Sequence, residues 1–140
     1  MFKKILIAND GSEHAKKALA AAIQEAAYSR GELHQVSVEE DLPKYAATVG
    51  ETEEVKEQRN GYFAQINKEA VAAAQTAGVT LVPHVLVGHE VETIINFCKE
   101  GDYDLLVIGF MGHSRIFERV WGSTSQNLTR LAPCSVLVVK

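Results

Sequence analysis

The chain reads as an α/β protein built on one open parallel sheet with helices on both faces. Two kinds of segment predict this. Short unbroken apolar runs, Ile5-Leu6-Ile7 and Leu105-Leu106-Val107-Ile108, suit strands buried on both sides of a parallel sheet. Between such runs lie stretches whose apolar residues recur three and four positions apart, the period of a helix with one buried face. The two kinds of segment alternate along the chain, the pattern of helices packed over parallel strands.

Taken in order, Ile5 to Ile7 is the first strand. Ser12 can cap the helix that follows, whose apolar stripe is Ala15, Ala18, Leu19, Ala22, Ile23, Ala26 and Ala27, and Gly31 ends that unit. Leu33 to Val38 alternates apolar with polar residues and reads as a second strand, less deeply buried than the first. Residues 39–60 are acidic and polar, with Pro43 and Gly50 as breakers, and read as a connection or lid that turns helical from about Glu51. Tyr62, Phe63, Ile66, Ala70, Ala73, Ala74 and Ala77 mark one face of a long helix stopped by Gly78. Val79 to Val87 is a third strand, and Pro83 places it at an edge or a bulge. Val91, Ile94, Ile95 and Cys98 give a short helix closed by Gly101. His89 stands where a better capping residue, Asp or Asn, would be expected. Leu105 to Ile108 is the fourth strand, Ser123 to about Leu131 the fourth helix, and Val136 to Val139 the fifth strand.

A chain of 140 residues has the size of one domain, and domains of this size bury roughly two-thirds of their unfolded surface. A net charge of −4 argues against sequence-independent nucleic-acid binding, which depends on clustered Lys and Arg. No apolar stretch approaches the length of a membrane span, and Met1-Phe2-Lys3-Lys4 runs into a strand rather than a signal peptide. The expectation is a cytoplasmic protein without membrane or nucleic-acid partners. Cys98 and Cys134 sit singly in apolar contexts and read as small packing residues. His14, His34 and His84 show no ligand spacing.

The densest chemical signal is Gly109-Phe110-Met111-Gly112, then nine residues, then Gly122-Ser123-Thr124-Ser125. It follows a strand and opens a helix. Glycine lets backbone N–H groups approach a ligand closely, and a helix start offers unpaired donors and a partial positive charge. Such an arrangement suits an anion, most naturally the phosphates of a nucleotide. The competing reading is a glycine hinge followed by an ordinary serine cap, which leaves the spacing unexplained. Asp10, directly after the first strand, could accept hydrogen bonds from ribose hydroxyls or hold a magnesium ion; equally, it could cap the first helix or form a turn with Gly11 and Ser12. His113, Arg115 and Arg119 could neutralise phosphate or form a solvated basic face.

Gly-x2-Gly-x9-Gly-Ser, closed by Ala132-Pro133-Cys134-Ser135-Val136-Leu137-Val138-Val139, resembles the ATP-binding branch of the universal stress protein family. Lys4-Ile5-Leu6-Ile7-Ala8-Asn9-Asp10-Gly11-Ser12 is similar to the same family's first strand and turn. The resemblance runs from end to end and implies one such domain over residues 1–140, with strand order 3-2-1-4-5. Asp10 and Gly109 would then flank one crevice. It also implies ATP as ligand, ligand contact by Asp10 (with magnesium as the ion that carboxylate could hold), an adenine read by the backbone of Val38, and Ala8 and Asn9 lining the pocket. Gly109 and Gly112 would wrap ribose and phosphates; Gly122, Ser123, Thr124 and Ser125 would bind phosphate oxygens. Phe110-Met111 departs from the small, polar or basic residues relatives often carry there.

There is no Gly-x4-Gly-Lys-Ser/Thr loop, no Ser-His-Asp signature, no HExxH and no CxxC. A nucleotide-binding regulatory module is therefore favoured over an efficient enzyme. Its alternatives are a slow ATPase or autophosphorylating protein, with Ser123, Thr124 or Ser125 as acceptors, and a nucleotide-free dimeric scaffold. Val136-Leu137-Val138-Val139-Lys140 is an apolar edge strand, and pairing it with its copy would make a homodimer.

Overall fold

A computed structural model describes residues 1–40, 49–111 and 123–140. Along the chain run β1 (Lys4–Ala8), α1 (Glu13–Ser29), β2 (Glu32–Glu39), α2 (Val49–Thr76), β3 (Leu81–Val87), α3 (Glu90–Glu100), β4 (Leu105–Gly109), α4 (Ser123–Leu131) and β5 (Ser135–Val139). The strands form one parallel sheet in the order β3-β2-β1-β4-β5, as the family resemblance implies.

Two apolar layers sandwich this sheet. On one face Ile5, Ile7, Leu33, Leu105 and Val107 meet the small-residue stripe of α1, Ala18 to Ala26, and Ala70 and Ala74 of α2. On the other, Leu6, Val36, Leu106 and Ile108 meet Ile94 and Cys98 of α3 and Leu128 of α4. Alanine stripes let α1 and α2 lie close on the sheet, and the strand period of two sends alternate residues to opposite layers. Pro83 lies on the edge strand β3, where a missing N–H costs no ladder bond.

The helix boundaries follow local chemistry. Ser12 caps α1 by accepting from the Ala15 N–H at 3.2 Å. His89 is the N-cap of α3 and makes no side-chain capping bond, in keeping with its poor fit to that position. The acidic connection becomes helical by Val49, two residues before the expected Glu51.

The second strand is less deeply buried than β1 at its two ends, as expected, but its polar residues are not on a wet face: Gln35 is fully buried and Ser37 nearly so, in an interior strand. Its polar alternation reflects an internal hydrogen-bond network instead of a wet face. The Gln35 carboxamide accepts from Asn9 Nδ2 at 2.9 Å and donates to Asn67 Oδ1 at 2.8 Å, while Ser37 Oγ donates to the Asn9 carbonyl at 2.7 Å. Buried polar groups are tolerable when each finds such a partner.

Both cysteines join the α3–α4 layer, Cys98 buried and Cys134 half-buried, as free thiols within hydrogen-bonding contact of each other. Burial, with the neighbouring Cys134, pushes the Cys98 thiol up to about 12. Among the described residues no helix is long and apolar enough to cross a membrane.

Candidate functional site

The chain moves outward from β1 in both directions, to β2 and β3 on one side and to β4 and β5 on the other. The switch point therefore lies between β1 and β4, and open α/β sheets bind ligands outside the carboxyl ends of strands at such points. Ile7 is level with Val107 of β4, so the Asn9-Asp10 turn and Gly109 emerge side by side. On the other flank Ala8 is level with Val36, and Asn9 N donates to the Val36 carbonyl at 3.0 Å, which brings Val38 to the same rim.

Around this crevice the turn after β1 is tightly braced. Asn9 is buried, and Oδ1 accepts from Gly11 N at 2.9 Å while Nδ2 reaches Gln35. Its side chain is thus engaged within the protein and shapes the pocket indirectly. Asp10 Oδ1 accepts from Ser12 N at 2.9 Å, so the turn-forming reading of Asp10 is realised in the structure. Gly11 has φ +80°, a left-handed conformation in which a Cβ would be strained and would also meet the Tyr62 hydroxyl and Ile66. Tyr62 donates to the Asp10 carbonyl, bringing the middle of α2 down onto the turn.

Glu90, the first residue of α3, also reaches this rim. Burial, then the charges of Asp10 and of Glu40, pushes its carboxyl up to about 7. Three carboxylates thus share the mouth of the crevice, which disfavours a further bare negative charge beside Glu90.

Gly109 ends β4 against the first turn of α1. A Cβ there would lie 2.8–2.9 Å from backbone atoms of His14 and Ala15, so only glycine fits this approach. The residues after it are anchored on three sides. Ser125 Oγ donates to the Gly109 carbonyl at 2.9 Å, Phe110 N donates to the Val139 carbonyl at 2.8 Å, and Met111 N donates to His14 Nδ1 at 3.0 Å. Phe110 lies with its ring 6.2 Å from the His14 ring and Lys140 Nζ 5.1 Å above it, a cation–π contact. The apolar departure Phe110-Met111 therefore has a packing partner in α1 and β5.

Of the residues expected at the site, Ala8, Asn9, Asp10, Val38 and Gly109 come together at one end of the sheet. Ser123 and Thr124 open α4, and Ser125 is buried with its hydroxyl directed at Gly109. Gly112 and Gly122, with His113, Arg115 and Arg119, lie outside the described residues. His14, Tyr62 and Glu90 were not expected here. Only the folded topology brings them in, because their partners Met111, Asp10 and Asp10 lie 97, 52 and 80 positions away from His14, Tyr62 and Glu90 respectively.

On β2 and β3, away from the β1–β4 switch point, His34 Nδ1 and His84 Nε2 lie 3.0 Å apart in stacked rings, with Glu32 3.3 Å from His34 Nε2. Burial, and His34 beside it, lower the pKa of His84. Among the described residues no group of three or more His, Cys, Asp or Glu could hold a metal ion.

Comparison with known proteins agrees with this architecture. The model of the universal stress protein family matches residues 1–140. A universal stress protein of Thermus aquaticus, encoded in the 3′ region of a QAH/OAS sulfhydrylase gene, is 36% identical over 146 residues, covering 100% of both chains. The universal stress protein UspA of Lactobacillus plantarum superposes with a TM-score of 0.86 at 23% identity, over 99% of this chain and 98% of that one. A universal stress protein crystallised in complex with cAMP gives a TM-score of 0.78 at 27% identity, over 99% and 97%.

Proposed function

Because the chain belongs to the universal stress protein family, we propose that it is an adenine-nucleotide-binding regulatory module, with ATP as its ligand. The observation that carries the reading is the meeting of the Asp10 turn and the Gly109 loop stem at the switch point of the sheet. The cAMP complex of a relative supports an adenine nucleotide in this fold.

In this reading the nucleotide lies across the carboxyl ends of β1, β2 and β4. The Val38 backbone reads the adenine edge, with Ala8 and Asn9 forming the pocket floor. Asp10 accepts from ribose hydroxyls. Gly109 and Gly112 let the loop close on ribose and phosphate, and Gly122, Ser123, Thr124 and Ser125 supply phosphate donors at the start of α4. Each hydrogen bond to a charged oxygen contributes about 1.5–3 kcal/mol, so several can hold a triphosphate without a lysine. Magnesium keeps several waters and takes one or two protein carboxylates with substrate phosphates. Asp10 would be the protein carboxylate, and the ion would offset phosphate charge near Glu40 and Glu90.

Binding rather than turnover is proposed. Ser125, one of three candidate acceptors, is buried and bonded to Gly109, a poor position for phosphorylation. Binding of ATP would bias a partner surface between two states. Titration of ATP, AMP and cAMP into nucleotide-stripped protein, beside Gly122→Lys, tests the reading: ATP should bind the parent and fail with the variant. Equal ATP binding by both proteins contradicts it.

A homodimer through β5 is proposed with it. This strand is an edge of the sheet, and Leu137 on it is 41% exposed. Leu137→Lys should shift the sedimentation coefficient from dimer to monomer; an unchanged dimer refutes that pairing.

A further inference from the structure

We propose that His14 is a positioning residue for the glycine loop, its Nδ1 lone pair holding the Met111 amide so that the loop stem stays docked on the first turn of α1. The consequence for affinity rests on the nucleotide reading above; the anchor itself does not. Met111 N and His14 Nδ1 are 3.0 Å apart across 97 positions of sequence. Since the amide is the donor, Nδ1 carries the lone pair and the ring proton sits on Nε2.

The bond occupies a particular place. It ties β4's extension to the helix whose preceding turn carries Asp10, so one imidazole couples the two halves of the crevice. Gly109 already touches the His14 backbone, and Phe110 packs toward the same ring. The loop stem therefore meets α1 through backbone contact, ring packing and a directed hydrogen bond, and that bond holds the Met111 amide.

A second consequence concerns the ligand. The Phe110 amide is spent on Val139 and the Met111 amide on His14. The first two N–H groups after Gly109 are thus taken within the protein and are not offered to phosphate. His14 in this way withdraws the Met111 amide from the ligand. Phosphate binding is sensitive to such placement, because a shift of about 1 Å in a supporting group is enough to misalign its donors.

The test compares parent protein with His14→Ala and His14→Asn. Alanine is the best helix former, so the first variant keeps α1 while removing the acceptor. Asparagine restores an oxygen acceptor near the Nδ1 position. The readouts are the exchange rate of the assigned Met111 amide, the ATP dissociation constant and the melting temperature. His14→Ala should speed Met111 exchange about fivefold or more, the equivalent of one typical hydrogen bond, and weaken ATP by a similar factor. Its melting temperature should stay within a few degrees, and His14→Asn should recover much of both losses.

Met111 exchange unchanged in His14→Ala overturns the anchor, whatever ATP does. Faster exchange with unaltered ATP affinity overturns the positioning role. Losses in His14→Ala that asparagine does not recover overturn the acceptor assignment. If the parent binds no nucleotide, the functional reading fails and the affinity role falls with it, while the exchange rates still uphold or overturn the anchor.

Discussion

Glu90→Gln isolates the electrostatic cost of the carboxylates gathered at the crevice. The Glu90 carboxyl rises from an ordinary 4.5 to about 7, through burial first and the charges of Asp10 and Glu40 second. An acid whose value is higher in the folded state binds more protons there than when unfolded. Stability therefore falls as pH rises from about 4.5 to about 7, and the full cost is present above that range. At 1.36 kcal/mol for each tenfold change in proton affinity, the ceiling is about 3 kcal/mol. The residue is only half-buried, and solvent screening reduces this to about 1–2 kcal/mol. Glutamine keeps the shape and removes the charge. Its melting temperature should exceed the parent's by roughly 3–8 °C at pH 8, with most of that difference gone at pH 5. Calorimetry or dye-monitored melting at the two pH values measures it. A glutamine variant no more stable at pH 8, or stabilised equally at both, would refute the reasoning.

Gly109→Ala should abolish ATP binding in calorimetric titration and cost about 1–3 kcal/mol in urea unfolding, because its Cβ meets the backbone of His14 and Ala15. Asn9→Ala should lose about 2–3 kcal/mol in the same unfolding assay, since it strands the fully buried Gln35 carboxamide oxygen. Cys98, with its thiol raised to about 12 and its side chain buried, should react with a thiol reagent at pH 8 only after unfolding; rapid labelling of both cysteines in native protein would contradict that burial.

Much of the architecture was legible because local pattern and tertiary environment agree. The alanine stripe of α1 is both a helical period and the surface that packs on Ile5 and Ile7. Pro83 signalled an edge, and β3 is one. In β2 the sequence could not show that Gln35 and Ser37, polar by residue type, are buried by position; the partners that permit it, Asn9 and Asn67, come from the turn after β1 and from α2. The crevice shows the same division. Asp10 and Gly109 stand out in sequence, since a carboxylate after a strand and a glycine motif carry local meaning. His14, Tyr62 and Glu90 do not. Each takes its place at the rim only when the sheet brings β1, α2, α3 and the stem of the glycine loop to one end, and nothing in residue type marks that meeting.

The most direct test of the account is whether adenine nucleotide occupies the crevice between the Asp10 turn and the Gly109 stem. Protein stripped of ligand would be titrated with ATP while backbone amide signals are followed. Saturable shifts concentrated at residues 8–11, 38–40 and 109–111, and weakened in Gly109→Ala, are the predicted result. A folded protein that shows no shifts with millimolar ATP, or shifts confined to the surroundings of His34 and His84 on β2 and β3, would contradict the claim.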